Sequence, residues 1–233
     1  VPYATTQNAT LPGTNGSKTA YVQFRDAAGN ISAQVADSIV LADVTPPTGS
    51  ELINEGAGAS GLLSVDLMLN ATGAAQMRFS WDSTTWSVWE TYATTRNLTM
   101  PAGVDGVRTL YVQYRNAAPA MILSAVYSDT ILLDRGLPTG TVVINGGAAT
   151  TAVRDVVLSL SATDTANAVT SMRLRWSTAQ AWGAWVPYAT TLNATLPGTN
   201  GAKTAYVQYR DAAGNISAQV ADSIVLADVT PPT

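Results

Sequence analysis

The side chains with which this chain could do chemistry are few in kind. Cysteine and histidine are both absent, which removes disulfides, thiolate-bound zinc, thiol nucleophiles and imidazole bases together. Carboxylates, guanidinia and tryptophans remain: Asp and Glu total 16, Lys and Arg 12, and Trp outnumbers Phe by 6 to 2. Hydrolysing a glycoside takes two carboxyl groups at a fixed separation, and no such pair recurs along the chain. Lys18 and Lys203, the only lysines, lie in turns near a glycine, where nothing desolvates an amine into a nucleophile. No catalytic residue is expected, and the chain is read as a non-enzyme. The net charge of -4 speaks against nucleic acid, which needs a basic stripe for its phosphates. The tryptophans are left. Trp86 and Trp89, and again Trp182 and Trp185, form Trp-x-x-Trp pairs. Such a pair is either a platform for the apolar face of a sugar or a cover packed over a sheet edge.

What positions these residues is a repeat. The stretch 1–48 returns as 186–233 with only Gln7, Ser17 and Phe24 changed, to Leu192, Ala202 and Tyr209. A weaker copy lies between them, where Met77-Arg78, Trp81, Trp86, Trp89 and Tyr111–Arg115 match Met172-Arg173, Trp176, Trp182, Trp185 and Tyr206–Arg210. Pro-Thr pairs at Pro47, Pro138 and Pro232 punctuate the copies. The expected division is 1–48, the back half of one unit; 49–139, a complete divergent unit; and 140–233, a complete near-copy of the first. Alternating unlike neighbours suppresses strand exchange during folding.

Within 140–233 the apolar residues keep a two-residue period. Val156, Leu158 and Leu160 alternate with Asp155, Val157 and Ser159, and Ala205, Val207 and Tyr209 alternate with Tyr206, Gln208 and Arg210. No comparable window keeps a helical period. About seven strands per complete unit, with turns such as Ala213-Gly214-Asn215, predict an all-β class of tandem immunoglobulin-like sandwiches, strung as beads in a rod. Without a disulfide, Trp81 and Trp176 are expected to fill the centre of each sandwich. Arg210–Asn215, Met77–Ser80 with Thr85-Trp86-Ser87, and the Asp43–Pro47 junction resemble tandem bacterial immunoglobulin-like repeats, related to fibronectin type III modules. The resemblance extends over essentially the whole chain and implies a large secreted or cell-surface protein such as an adhesin.

In related arrays calcium rigidifies the junctions, and Asp43, Asp134 and Asp228 recur near them, with Asp26 and Asp211 in a recurring turn. Calcium takes six to eight oxygens, more than one linker Asp and one turn Asp supply. No metal or cofactor is therefore expected, these carboxylates being read as partners of their own turns. Paired prolines between units favour a semi-rigid connection. The outward row Arg173, Arg175, Tyr206, Gln208 and Arg210 is either an interface for lateral association of rods, since Tyr and Arg are enriched in interfaces, or, in the favoured reading, a solvated face with Arg–Tyr stacking. Met121, Ile122 and Leu123 form an apolar loop where a polar tip belongs, which suggests contact with a neighbouring unit or another molecule. Of the Asn-x-Ser/Thr sequons, Asn8, Asn97 and Asn193 fall at one equivalent position and are the candidates for glycosylation.

The resulting expectation is a structural, non-catalytic, extracellular stalk or fibre segment of a longer repetitive protein. Its partners would be neighbouring repeats, with self-association into filaments through the Met121–Leu123 loop as one extension. The rival is an array that binds glycan or a host protein through the tryptophan pairs or turns. No apolar run approaches the roughly 20 residues of a membrane-crossing helix. The stretch 1–48 lacks its first strands, and its core residues are expected to be exposed unless upstream sequence or another copy completes it.

Overall fold

The computed structural model describes residues 1–42 and 45–227. It is an all-β protein, as the two-residue periodicity requires. In 1–48, β1 (Gly16–Val22) pairs antiparallel with β2 (Val35–Leu41) in a two-stranded sheet among the described residues. Two sheets follow in 49–139. One joins β3 (Thr48–Ile53), β5 (Ser64–Thr72) and β8 (Thr95–Thr99). The other runs β4 (Ala59–Ser60), β10 (Leu123–Leu133), β9 (Gly106–Arg115), β6 (Gln76–Ser80), β7 (Glu90–Thr91). The same pair recurs in 140–233. There β11 (Thr139–Ile144), β13 (Asp155–Thr163) and β16 (Thr191–Thr195) form three strands. Their partner sheet runs β12 (Thr150–Thr151), β18 (Val220–Leu226), β17 (Gly201–Asp211), β14 (Val169–Arg175), β15 (Val186–Pro187). A three-stranded sheet paired with a five-stranded one is a sandwich.

The chain divides into two compact units. One comprises Val1–Glu51, Leu69–Thr94 and Tyr111–Ser128, and the other Leu52–Met68, Thr95–Leu110 and Asp129–Thr233. The second contains a complete core in which Ile144, Leu158 and Leu196 meet Met172, Val207, Tyr209 and Ile224. These come from both sheets, so burying them is what holds the layers together. The expected central tryptophans are corrected here. Trp176 is only partly buried against this core, and Trp81 is likewise intermediate. Among the described residues the aromatic side chains at 0% exposure are Tyr114 and Tyr209. Each can satisfy its hydroxyl, Tyr114 donating to the Ser50 carbonyl at 3.1 Å and Tyr209 to the Thr141 carbonyl at 2.5 Å.

The duplicated sequence provides an internal control. Val207, Tyr209 and Ile224 are 2%, 0% and 1% exposed, whereas their equivalents Val22, Phe24 and Ile39 are 46%, 50% and 59% exposed. The residues are nearly the same and the strand pairing is the same, with Gly16 opposite Leu41 as Gly201 is opposite Leu226. In 140–233 the three-stranded sheet of β11, β13 and β16 is what buries these side chains.

Candidate functional site

Two features gather polar chemistry. The first is a carboxylate cluster where 49–139 passes into 140–233. Carboxylate oxygens of Asp134, Asp164 and Asp211 lie within 4.8 Å of one another. Asp134, just beyond β10, is 1% exposed. Gly136 N donates to its Oδ1 at 2.9 Å, and the Asn167 side-chain amide donates to its Oδ2. Asp211, ending β17, accepts from Asn215 N at 2.8 Å and Asn215 Nδ2 at 2.9 Å. Asp26 accepts in the same way from Asn30, at 2.9 and 2.8 Å, and these bonds hold its carboxyl below the ordinary range. Asp164 accepts from Ala166 N and Asn167 N.

The Asp211–Asn215 turn also reaches across the passage. Asn215 Nδ2 donates to the Asp134 carbonyl at 2.8 Å, and Gly61 N donates to the Ala213 carbonyl at 3.0 Å. Any side chain at Gly61 would drive a Cβ to 2.5 Å from Asn215 Oδ1. Arg135 closes the other flank on Asp105, with N and Nε at 2.8 and 2.7 Å from its carboxylate. Of the five acids singled out as calcium candidates, the structure thus brings Asp134 and Asp211 together and adds Asp164, which sequence reasoning missed. Asp26 stands in its own turn, and Asp43 and Asp228 lie outside the described residues. Three carboxylates give part of the six to eight oxygens that calcium takes, and all three already accept hydrogen bonds.

Burial, reinforced by the charges of Asp164, Asp211 and Asp105, pushes the Asp134 carboxyl up. A carboxyl whose folded pKa is raised binds its proton more tightly in the folded state, so its contribution to stability falls as pH rises through that window. Asp164→Asn keeps the oxygen that accepts from Ala166 and Asn167 while removing one negative charge beside Asp134. The variant is expected to melt at a higher temperature than wild type at pH 7, with the difference shrinking as pH falls and Asp134 takes up its proton. Melts at both pH values check this; an unchanged difference would mean that the charge at 164 does not act through Asp134.

The second feature is the face on which both tryptophan pairs lie. Trp182 is flanked by the guanidinia of Arg175 at 4.3 Å and Arg173 at 4.9 Å, and Trp185 by Arg173 and Arg210, each at 4.5 Å. Arg175 also covers Tyr206 at 5.7 Å. The result is a row that alternates Tyr206, Arg175, Trp182, Arg173, Trp185, Arg210. In 49–139 a shorter row alternates Trp86, Arg78, Trp89, Arg115, because Ser80 stands where the longer one has Arg175. Alternation along β14 and β17 points the arginines outward, and the segment between β14 and β15 folds its tryptophans back between them. Each contact is worth about 0.5–1 kcal/mol at an exposed site. Glutamine carbonyls orient the guanidinia: Gln208 Oε1 accepts from Arg173 at 2.6 Å, and Gln113 Oε1 from Arg78 at 2.6 Å. Ring faces occupied by guanidinia are not open to a sugar. The Arg175–Tyr206 stack was legible in the outward row, but the tryptophan rungs were not.

The remaining candidates are dispersed. Met121 and Leu123 are 41% and 45% exposed, and their loop is tied by Ile122 N donating to Asn116 Oδ1 at 2.6 Å. Asn8, Asn97 and Asn193 are all exposed. The Asn97 amide donates to Asp66 at 2.8 Å.

No family model matches the chain, and no curated protein matches it in sequence. Solved structures do match its fold. The fibronectin(III)-like modules of Clostridium thermocellum CbhA are similar at 13% identity with a TM-score of 0.50, covering 76% of this chain and 94% of theirs. The FN1–FN3 domains of chicken CNTN1 are similar at 11% identity and 0.50, covering 90% of this chain and 75% of theirs. A tetra-tandem repeat from the extending region of a large adhesion protein matches at 14% identity and 0.27, over 90% of this chain and 57% of its own. The fold is that of fibronectin type III and immunoglobulin-like modules.

Proposed function

We propose that this chain is part of a non-catalytic, extracellular array of sandwich repeats, a stalk or fibre body whose work is mechanical. The observation that carries this reading is the passage around Asp134. There the turn of one repeat is hydrogen-bonded to the end of the preceding one through Asn215 and Gly61, so that successive repeats resist bending. Length then grows by adding units coupled mainly to their nearest neighbours. The division into 1–48, 49–139 and 140–233 is part of the proposal and is supported by the two sheet pairs that recur in register. A compact globule of this length has a radius of gyration of about 17 Å. Small-angle scattering of the full chain should give a clearly larger value and an elongated profile; a compact profile would reject the array.

No cofactor is part of this reading, which rests on the hydrogen bonds of Asn215 and Gly61 across the passage. Replacing EDTA with calcium chloride is expected to leave the melting temperature unchanged. A rise that disappears in Asp164→Asn would instead assign a metal to the three carboxylates.

A further inference from the structure

We infer that the outer face of β14 and β17 binds an acidic polysaccharide, whose carboxylate or sulfate groups accept hydrogen bonds from Arg173, Arg175 and Arg210. This goes beyond a mechanical role and assigns a ligand class to one face of the last repeat.

Charge is the first argument. The outward positions of the two strands are Ser171, Arg173, Arg175, Thr204, Tyr206, Gln208 and Arg210, with no carboxylate among them. The guanidinia spend their hydrogen bonds on neutral acceptors. Arg173 donates to Gln208, Arg175 to Gln219 at 2.5 Å and to the carbonyls of Thr178 and Gln180 at 3.2 and 3.3 Å, and Arg210 Nε to Ser171 Oγ at 3.1 Å. These bonds fix orientation without neutralising charge. Burial first, and then the neighbouring guanidinia of Arg210 and Arg175, lower the Arg173 pKa. In a chain of net charge -4, three unneutralised arginines in one row are a local inversion of sign.

Geometry selects the ligand. Both tryptophans have guanidinia against their faces, so neither a neutral sugar nor a nucleobase finds a ring to stack on. What the row presents is a line of planar cations held in place, whose ordering costs little on binding. A linear polymer with repeated anions matches a line, and the hydroxyl and amide groups around it match a hydroxylated ligand. The shorter row of 49–139 is a natural contrast. It has two arginines, and Glu90 stands opposite Met77 where Val186 stands opposite Met172.

The test is titration of the full chain with polygalacturonate and dextran sulfate, with neutral dextran and oligothymidylate as comparisons. Saturable binding to both polyanionic glycans, weakened by added NaCl, is expected. Arg173→Gln with Arg210→Gln should weaken it at least tenfold. Because those changes also remove rungs from the ladder, Arg173→Lys with Arg210→Lys is the companion variant: it keeps the charge, loses the flat stacking and the fixed orientation, and should bind more weakly than wild type but clearly more tightly than the glutamine pair. Circular dichroism confirms that each variant is folded. Absent binding, equal binding to neutral dextran, or binding untouched by the glutamine pair would overturn the inference. So would equally tight oligothymidylate, or a lysine pair as defective as the glutamine pair. Scattering that rejects an elongated array would leave these titrations unaffected, so the two readings fail separately.

Discussion

Gly140→Ala is expected to destabilise the chain by about 3 kcal/mol, at the upper end of overpacking effects. A Cβ there would stand 2.5 Å from the Ser161 carbonyl oxygen and 2.5 Å from Tyr209 Cε2. Neither obstacle can yield cheaply. Ser161 belongs to β13, whose register sets Gly140 opposite Ala162, and the Tyr209 ring is at the centre of the core. The earlier repeat has the same arrangement. A Cβ at Gly49 would approach the Asn70 carbonyl oxygen to 2.7 Å and Tyr114 Cε2 to 2.8 Å, so Gly49→Ala should lose stability in the same sense. Gly58, with open space around it, is the control. Urea denaturation should show the transition midpoint falling for Gly140→Ala and unmoved for Gly58→Ala. Equal behaviour of the two would show that the close approach of strand to tyrosine is not what demands glycine.

Tyr209→Ala should cost about 3–5 kcal/mol, the range for deleting a buried aromatic side chain. Tyr209→Phe isolates the hydroxyl. It removes the bond to the Thr141 carbonyl and should cost about 1 kcal/mol, the worth of a typical buried hydrogen bond with a modest penalty for the acceptor left behind. The ring also packs edge-on against Tyr188 at 5.9 Å, a contact that phenylalanine keeps and alanine loses. Burial pushes the Tyr209 phenol up, so it remains a donor wherever the unfolded chain's tyrosine is still protonated. Stability should then decline as pH rises past the ordinary tyrosine value of about 10. If Tyr209→Phe costs as much as Tyr209→Ala, the hydroxyl rather than the ring anchors β11 to the core.

Much of the fold could be read from the chain itself, because its information is periodic. Two-residue alternation in Val156–Leu160 and Ala205–Tyr209 locates strands without reference to anything distant, and the duplication of 1–48 reports its own spacing. What escaped depended on distance in sequence. Gly140 follows Pro138-Thr139 and looks like a turn glycine, and only the tyrosine 69 residues later gives it a steric purpose. Volume alone favours tryptophan at the core, whereas the carbonyl of Thr141 that accepts from Tyr209 lies 68 residues away in sequence. Asp164 falls in a connection four residues longer than that between Leu69 and Met77, with no counterpart to draw attention to it. The arginine–tryptophan row required knowing that the segment after Arg175 folds back across its own strand. Its signal was nonetheless present, in Arg173 and Arg175 two apart and Trp182 and Trp185 three apart.

Pulling the full chain from both ends with a single-molecule force probe is the most direct measurement of whether it is an array. Residues 49–139 and 140–233 should unfold as separate events, each lengthening the tether by about 30 nm, the extended reach of some 90 residues. One rupture that releases the whole chain, or steps whose lengths do not correspond to those two stretches, would contradict the array.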